Sequence, residues 1–228
     1  MQLFHTTLCC IQKNDIQITD PRVYYQCTKV LRYKTGDQLV VQINTTRYSV
    51  VLNTYDKTSL YGTIIEVTSQ PITSLSKEST HLIMAMTNKR EKMELMCQKA
   101  TELWVTKLSI WLASRSVIKT ISEHKMDRLK LIITEAAEQS WGWIVPTIDV
   151  ITSLEWLPKY SCIAYQWWVD LKMKDKTIQS LVIGPEGWFE SFELEGFTQR
   201  DFSFVAFSDT ILRTETAGII GAWILKNE

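Results

Sequence analysis

Up to residue 69 the apolar positions alternate with polar ones in short runs, the period of half-buried strands. Residues 1–11 are apolar and β-branched with polar interruptions, and 15–18 form a second short run. Asp20-Pro21 is a helix-start signal, with Asp as N-cap and Pro at the first helical position. Residues 22–32 then fit one helix with Val23, Cys27, Val30 and Leu31 on one face. Lys34-Thr35-Gly36-Asp37 reads as a turn, followed by strands over 38–44, 47–55 and 59–69. So many short antiparallel strands with one helix close most naturally into a small β-barrel.

The rhythm changes at Gln70-Pro71-Ile72-Thr73-Ser74, which predicts a domain over 1–70 and a second over 75–228. Beyond it, strand and helix patterns alternate, the mark of an α/β unit. Strands are expected at 81–86, 105–112, 144–150, 161–165, 178–183 and 201–207. Helices are expected at 90–103, with Met93, Met96, Cys97, Ala100 and Leu103 inward, and at 123–139, with Leu129, Ile132, Ile133, Ala136 and Ala137 inward. Shorter helices follow at 153–157, from Ser191 onward, and at 215–225, the last capped by Thr214. The strands at 178–183 and 201–207 both run into tight loops before helices, Gly184-Pro185-Glu186-Gly187 and Ser208-Asp209-Thr210. That arrangement makes the ligand crevice of an open α/β sheet. Gly184 and Gly187 are expected to let the backbone bend and approach a ligand, with Pro185 stiffening the bend.

Hydrophobic content of 45% and charged content of 22% are ordinary for a soluble globular protein. The formal net charge is zero. Any affinity for a polyanion must therefore come from basic residues concentrated locally, at 29–34, 86–92 and 115–130. Taken one lysine at a time, these are solvated faces. Cys9, Cys10, Cys27, Cys97 and Cys162 are odd in number and contain no C-x-x-C pair. They point to reduced thiols in a cytoplasmic protein, with neither a zinc site nor a disulfide framework. His5, His81 and His124 are scattered without metal-ligand spacing. No signal peptide and no membrane span is expected, and neither G-x-G-x-x-G nor a Walker A motif occurs.

Gly184-Pro185-Glu186-Gly187 followed by Ile211-Leu212-Arg213-Thr214-Glu215-Thr216-Ala217 resembles the signature of the SPOUT-superfamily RNA methyltransferases. Within them it is similar to the family that methylates N3 of a uridine in small-subunit (16S) ribosomal RNA. Lys92-Met93-Glu94, Gln98-Lys99-Ala100-Thr101-Glu102-Leu103, Ser114-Arg115-Ser116 and Glu135-Ala136-Ala137-Glu138-Gln139-Ser140 with Val145-Pro146 continue the pattern in the family's order. The resemblance thus covers nearly the whole chain. It implies an N-terminal PUA-like β-barrel that binds RNA, then a SPOUT α/β domain with a trefoil knot, an S-adenosylmethionine pocket and a homodimer interface. Val30-Leu31-Arg32 with Gly36-Asp37 matches the PUA-like part, although Tyr25 and Gln26 stand where the family has a histidine.

By this resemblance the cofactor is S-adenosylmethionine, held at Tyr165, Ile183, Gly184, Pro185, Glu186, Gly187, Trp188, Ser208, Thr210, Ile211 and Leu212. Arg213 is assigned to the uracil, because a guanidinium can pair with the negative charge that grows as N3 loses its proton. Glu215 either acts as base, orders Arg213, or is a carboxylate at a helix N-terminus. Arg22, Arg32 and Arg115 are assigned to RNA, and no metal is implied. A second reading stays open: a non-catalytic RNA-binding module of the same fold, its pocket spoiled by Trp188 and by Ser208 in place of a family glycine.

Tryptophan numbers 9 and glycine only 8, the latter about half of the usual ~7%. Trp104 and Trp188 stand where the family has glycine, and Trp141 where it often has. Glycine's permissive backbone is the norm at such turns. The coincidence suggests UGA codons that the source organism reads as glycine; the alternative is a lineage with genuine tryptophans there.

Overall fold

A computed structural model of the chain describes residues 1–70, 79–153, 155, 157, 161–165 and 179–227. The boundary expected at 71–74 lies outside the described residues, as do parts of the helix expected over 153–157. The fold is mixed α/β with two six-stranded sheets. Two compact units are present, Met1–Lys77 with Glu138–Trp143, and Glu78–Ala137 with Ile144–Glu228.

In the first unit, strands β1 (Gln2–His5), β2 (Cys9–Gln12), β3 (Asp15–Ile18), β4 (Gln38–Ile43), β5 (Thr46–Tyr55) and β6 (Leu60–Ser69) lie in the order β1-β4-β5-β6-β3-β2. The run expected over 1–11 is therefore two strands. Pairing is antiparallel except between β1 and β4, which are parallel. Inward positions such as Phe4, Ile16, Leu39, Val41, Val50 and Leu60 share a core with Val23 and Cys27. The helix-start signal works as its chemistry dictates: the Asp20 carboxylate accepts from the main-chain N–H of Arg22 and Val23, and Pro21 opens α1 (Pro21–Tyr25). The α-helix does not continue to residue 32 as expected. Gln26–Val30 widens into a π-helical turn, closed by the Leu31 N–H on the Gln26 carbonyl at 2.8 Å. The wider turn breaks the helical stripe, so Val23 and Cys27 are buried while Val30 and Leu31 are exposed.

In the second unit, β7 (His81–Ala85), β8 (Lys107–Trp111), β9 (Thr147–Ile151), β10 (Ser161–Ala164), β11 (Ser180–Ile183) and β12 (Ser203–Val205) form a parallel sheet in the order β12-β10-β11-β7-β8-β9. The helices are α2 (Arg90–Glu102), α3 (Glu123–Gln139), α4 (Ser191–Gln199) and α5 (Thr214–Asn227). Alternate strand residues feed opposite faces. Leu82, Met84, Leu181 and Ile183 pack with Met93, Met96, Leu129, Ile133 and Leu225. Ile83, Ala85, Ile163 and Val182 pack with Trp111, Phe189, Phe197 and Phe202. Burial on both faces is why these strands read as continuous apolar runs. The first bond of α5 runs from the Ala217 N–H to the Arg213 carbonyl at 2.9 Å, so Thr214 is the first helical residue rather than the cap.

One buried histidine, His81, and one half-buried, His5, make the fold sensitive to acid. His81 Nε2 lies 2.7 Å from Ser109 Oγ, and that hydroxyl donates to Asp149. The imidazole must therefore donate from Nε2. Burial, with Lys107 nearby and against the pull of Asp149, brings His81 down to about 4. Burial likewise brings His5 down to about 4, against its bond to the Gly142 carbonyl. Both are neutral in the fold but take up a proton near pH ~6.5 once unfolded. Stability is thus fully present above ~6.5 and is lost as pH falls toward 4, by up to about 1.4 kcal/mol per pH unit per histidine. Urea midpoints should drop between about pH 7 and about pH 4.5, and His81→Gln should flatten the drop. A slope unchanged by that substitution would refute the assignment.

Candidate active site

Strands β10, β11 and β12 are neighbours and parallel, so the loops that follow them open on one edge of the sheet. A cavity of about 380 Å³ lies there, lined by Ile183, Gly184, Pro185, Glu186, Trp188, Ile211, Leu212 and Arg213 from the expected set. A smaller cavity of about 80 Å³ is lined by Tyr165, Ser208 and Thr210, again with Trp188, Ile211 and Leu212. Two loops distant in sequence are thereby brought together. Of the expected cofactor residues, Gly187 lines neither cavity.

The glycines of the turn act differently from the sequence-based expectation. Among the described residues Gly36 is the glycine with positive φ; neither Gly184 nor Gly187 has it. Gly184 is required by packing, since a Cβ there would sit 2.6 Å from Cζ of Phe189. That ring is held in an aromatic cluster, 6.0 Å from Trp111, 5.3 Å from Phe197 and 6.1 Å from Tyr165. A Cβ at Gly187 would come 3.3 Å from Cβ of Arg115. The left-handed residue of the turn is Trp188, at φ 64°, whose N–H closes on the Pro185 carbonyl at 3.0 Å.

A charged residue that sequence reasoning left without a role completes the edge. Lys92, from α2, also lines the larger cavity. Its Nζ lies 2.5 Å from Glu186 Oε1 and 3.2 Å from Glu215 Oε2, joining the loop after β11 to the start of α5. The bond to Glu186, with the pull of Glu215, raises the Lys92 ammonium above its ordinary value. Burial pushes the Glu215 carboxyl up, but its own main-chain N–H, Lys92 and Arg213 outweigh that and hold it below the usual range. Glu215 is therefore an ionised, paired carboxylate in the first turn of a helix, where the macrodipole favours it. Arg213 is exposed, and its guanidinium makes no hydrogen bond or ion pair among the described residues. The clue to Lys92 was present in Lys92-Met93-Glu94, whose lysine has no place on the buried stripe of Met93, Met96 and Cys97.

The three arginines assigned to RNA divide. Arg115 holds Glu190 with both arms, Nε to Oε1 at 2.8 Å and Nη2 to Oε2 at 3.0 Å, and donates to the Gly187 carbonyl at 3.0 Å. Glu193, buried, accepts from the main-chain N–H of Ser114 at 2.9 Å and of Glu190 at 2.8 Å. Ser114-Arg115-Ser116 is thus fastened to the loop after β11, and Arg115 clamps that loop. Arg22 takes both oxygens of Glu138, at 2.7 and 2.8 Å, and the His5 carbonyl at 3.0 Å. Its guanidinium serves the first unit's interior. Arg32 is exposed, with φ 55°.

The sequence pattern of the RNA methyltransferase domain matches residues 74–226. The chain is 28% identical over 222 residues to ribosomal RNA small subunit methyltransferase E 2 of Borreliella burgdorferi, covering 91% of this chain and 89% of that protein. It is 28% identical over 218 residues to ribosomal RNA small subunit methyltransferase E of Rickettsia conorii, covering 88% and 84%. Its fold is similar to that of a ribosomal RNA small subunit methyltransferase E from Neisseria gonorrhoeae solved bound to S-adenosyl methionine, with a TM-score of 0.80, 21% identity, and 97% of this chain and 95% of that chain covered. With the domain pattern running from the sheet's first strand to the helix that closes the site, the chain belongs to the RNA methyltransferase domain family.

Proposed function

We propose that the protein transfers a methyl group from S-adenosylmethionine to N3 of one uridine in small-subunit ribosomal RNA. The observation that carries the reading is the meeting of residues 183–186 and 188 with 211–213 around one cavity, with an arginine at its edge that has no ion pair among the described residues. Relatives named for small-subunit ribosomal RNA methylation, and a similar fold solved with S-adenosyl methionine, support the substrate class and the cofactor.

The residues present suit the cofactor. A cavity of about 380 Å³ is within the size range of small-molecule sites, about 300–1,000 Å³. Ile183, Pro185, Ile211 and Leu212 offer apolar walls for an adenine, and the bent main chain at 184–188 offers polar groups. When bound, S-adenosylmethionine supplies an electrophilic methyl on a sulfonium. The protein's own work is then alignment and charge. Lys92, held between Glu186 and Glu215, keeps the two halves of the pocket in register, and such alignment supplies much of the rate in a displacement. Arg213 stabilises the negative charge left on the uracil as its N3 proton departs to water. Glu215, ionised and paired, orients Lys92 rather than serving as base.

In this reading the first unit is a PUA-like barrel that carries RNA, with Arg32 on its exposed surface, and the second is the trefoil-knotted SPOUT domain. Homodimers built through the second unit are expected, in keeping with the two-fold symmetry of most soluble homo-oligomers. Light scattering at micromolar concentration should give the mass of two chains; the mass of one would contradict it.

The deciding experiment supplies methyl-labelled S-adenosylmethionine and small ribosomal subunits from a strain lacking the enzyme. Label at N3 of a single uridine is the expected result. RNA binding without methyl transfer would instead support the non-catalytic module, a reading favoured by Trp188, which lines both cavities.

A further inference from the structure

Two sets of tryptophans contrast among the described residues. Trp111 is 2% exposed and packs on Phe189 and Phe197. Trp143 lies beneath the Arg47 guanidinium at 3.6 Å. Both indoles are used, and both residues have ordinary backbone. Trp104, Trp141 and Trp188 differ in their backbone, although each ring has a neighbour: the Lys226 ammonium at 5.8 Å, the Arg47 guanidinium at 5.7 Å and the Tyr165 ring at 6.2 Å. Their φ angles are 67°, 55° and 64°, in the left-handed region that bulky L-residues rarely enter. Their side chains are 48%, 38% and 37% exposed.

Each of the three occupies a position that geometry reserves for glycine. Trp104 is the second residue beyond α2. Its N–H bonds the Thr101 carbonyl at 3.0 Å, and the Val105 N–H bonds the Ala100 carbonyl at 3.1 Å. This pair of bonds is the Schellman closure, whose left-handed residue is normally glycine. Trp141 stands at the same place after α3, its N–H directed at the Glu138 carbonyl at 3.4 Å. Helix α4 ends the same way at Asp201, with φ 57°, but aspartate is short and tolerates the conformation. Trp188 closes the turn over the cofactor cavity. All other left-handed non-glycine residues among those described are Lys13, Arg32, Asn44 and Asp201. Chance placement of the bulkiest side chain at three such positions, in a chain short of glycine, is a poor account.

We propose that residues 104, 141 and 188 are glycines in the protein the source organism makes, encoded by UGA read as glycine, and that glycine at 188 opens the cofactor site. A glycine tRNA whose anticodon changes by one base, UCC to UCA, reads UGA, so the reassignment needs a single step. At 188 the consequence is functional. Residue 188 lines both the cavity of about 380 Å³ and the one of about 80 Å³, and its indole stands 6.2 Å from the Tyr165 ring. Glycine there joins the two into one chamber running from Arg213 to Tyr165 and Ser208, which brings Tyr165, Ser208 and Thr210 to the same ligand. This second half rests on the S-adenosylmethionine reading above.

The test has two arms that fail separately. In the coding DNA, codons 104, 141 and 188 should be UGA while 111 and 143 are UGG, and peptides of the native protein should carry glycine masses at the three sites. UGG at any of the three, or tryptophan masses, would overturn the recoding and leave the methyltransferase reading intact. In the second arm, Trp188→Gly is made in the recombinant chain and titrated with S-adenosylmethionine. An affinity gain of at least about tenfold is expected, as for removal of a side chain that blocks a site. Trp104→Gly and Trp141→Gly should leave that affinity unchanged and raise Tm by about 2–4 °C each. An unchanged affinity for Trp188→Gly would overturn the open-chamber claim. UGA codons together with a triple-glycine protein that binds no S-adenosylmethionine would sustain the recoding and defeat the cofactor reading.

Discussion

Arg213→Ala is expected to lower methylation of small ribosomal subunits by about two to three orders of magnitude, the usual effect of removing a donor that meets developing negative charge. Affinity for S-adenosylmethionine should change only a few-fold. The asymmetry follows from where the residue stands. Its carbonyl opens α5 and its side chain lines the cavity, exposed and without a partner among the described residues. The sulfonium of the donor is positive and repels a guanidinium held against it. The uracil becomes negative as N3 loses its proton, and the RNA phosphates already are. Arg213→Lys should recover little, because an ammonium cannot reproduce the planar two-pronged donor. Single-turnover rates at saturating cofactor, beside calorimetric titration, separate the effects. Lost cofactor binding with an unchanged saturated rate would move Arg213 to the donor side.

What could be read in the chain depended on whether the deciding contacts were local. Helix α3 was legible to its end residues because Leu129, Ile133, Ala136 and Ala137 keep one period over many turns. The Asp20-Pro21 start was legible because a cap is local chemistry. The π-helical turn at Gln26–Val30 was not: its residues suit an α-helix, and packing around Cys27 decides the turn. At the site, the motifs located both loops, but strand order placed them side by side, and strand order is not written in local pattern. Lys92 escaped because Glu186 and Glu215 reach it from far along the chain. Arg115 looked like an RNA contact for the same reason, its partner Glu190 lying in another element. At 104, 141 and 188 the left-handed backbone was signalled by tryptophans where the resembled family has glycine; at Lys13, Arg32, Asn44 and Asp201 nothing signalled it.

Gly184→Val is expected to weaken S-adenosylmethionine binding by at least about a hundredfold while leaving the chain folded. The sequence suggested that glycine here lets the backbone approach a ligand. The structure gives a different cause with the same result. Any Cβ at 184 meets Cζ and Cε2 of Phe189 at 2.6 and 2.9 Å. Phe189 cannot swing aside, because Trp111, Phe197 and Tyr165 surround it. The turn must move instead, and with it Pro185, Glu186 and residue 188, which form one wall of the cavity. Overpacking of this kind costs about 1–3 kcal/mol of stability, too little to unfold a typical domain of about 5–15 kcal/mol. Far-UV dichroism should therefore stay unchanged, with Tm lower by a few degrees. Gly187→Ala provides the contrast. Its Cβ would come 3.3 Å from Arg115, a contact that a shift of a few tenths of an ångström relieves, so its effect on affinity should be several-fold at most. Measured in both the Trp188 and the Trp188→Gly backgrounds, a Gly184→Val protein that binds cofactor within about threefold of its parent would show that the turn after β11 is not a wall of the donor site.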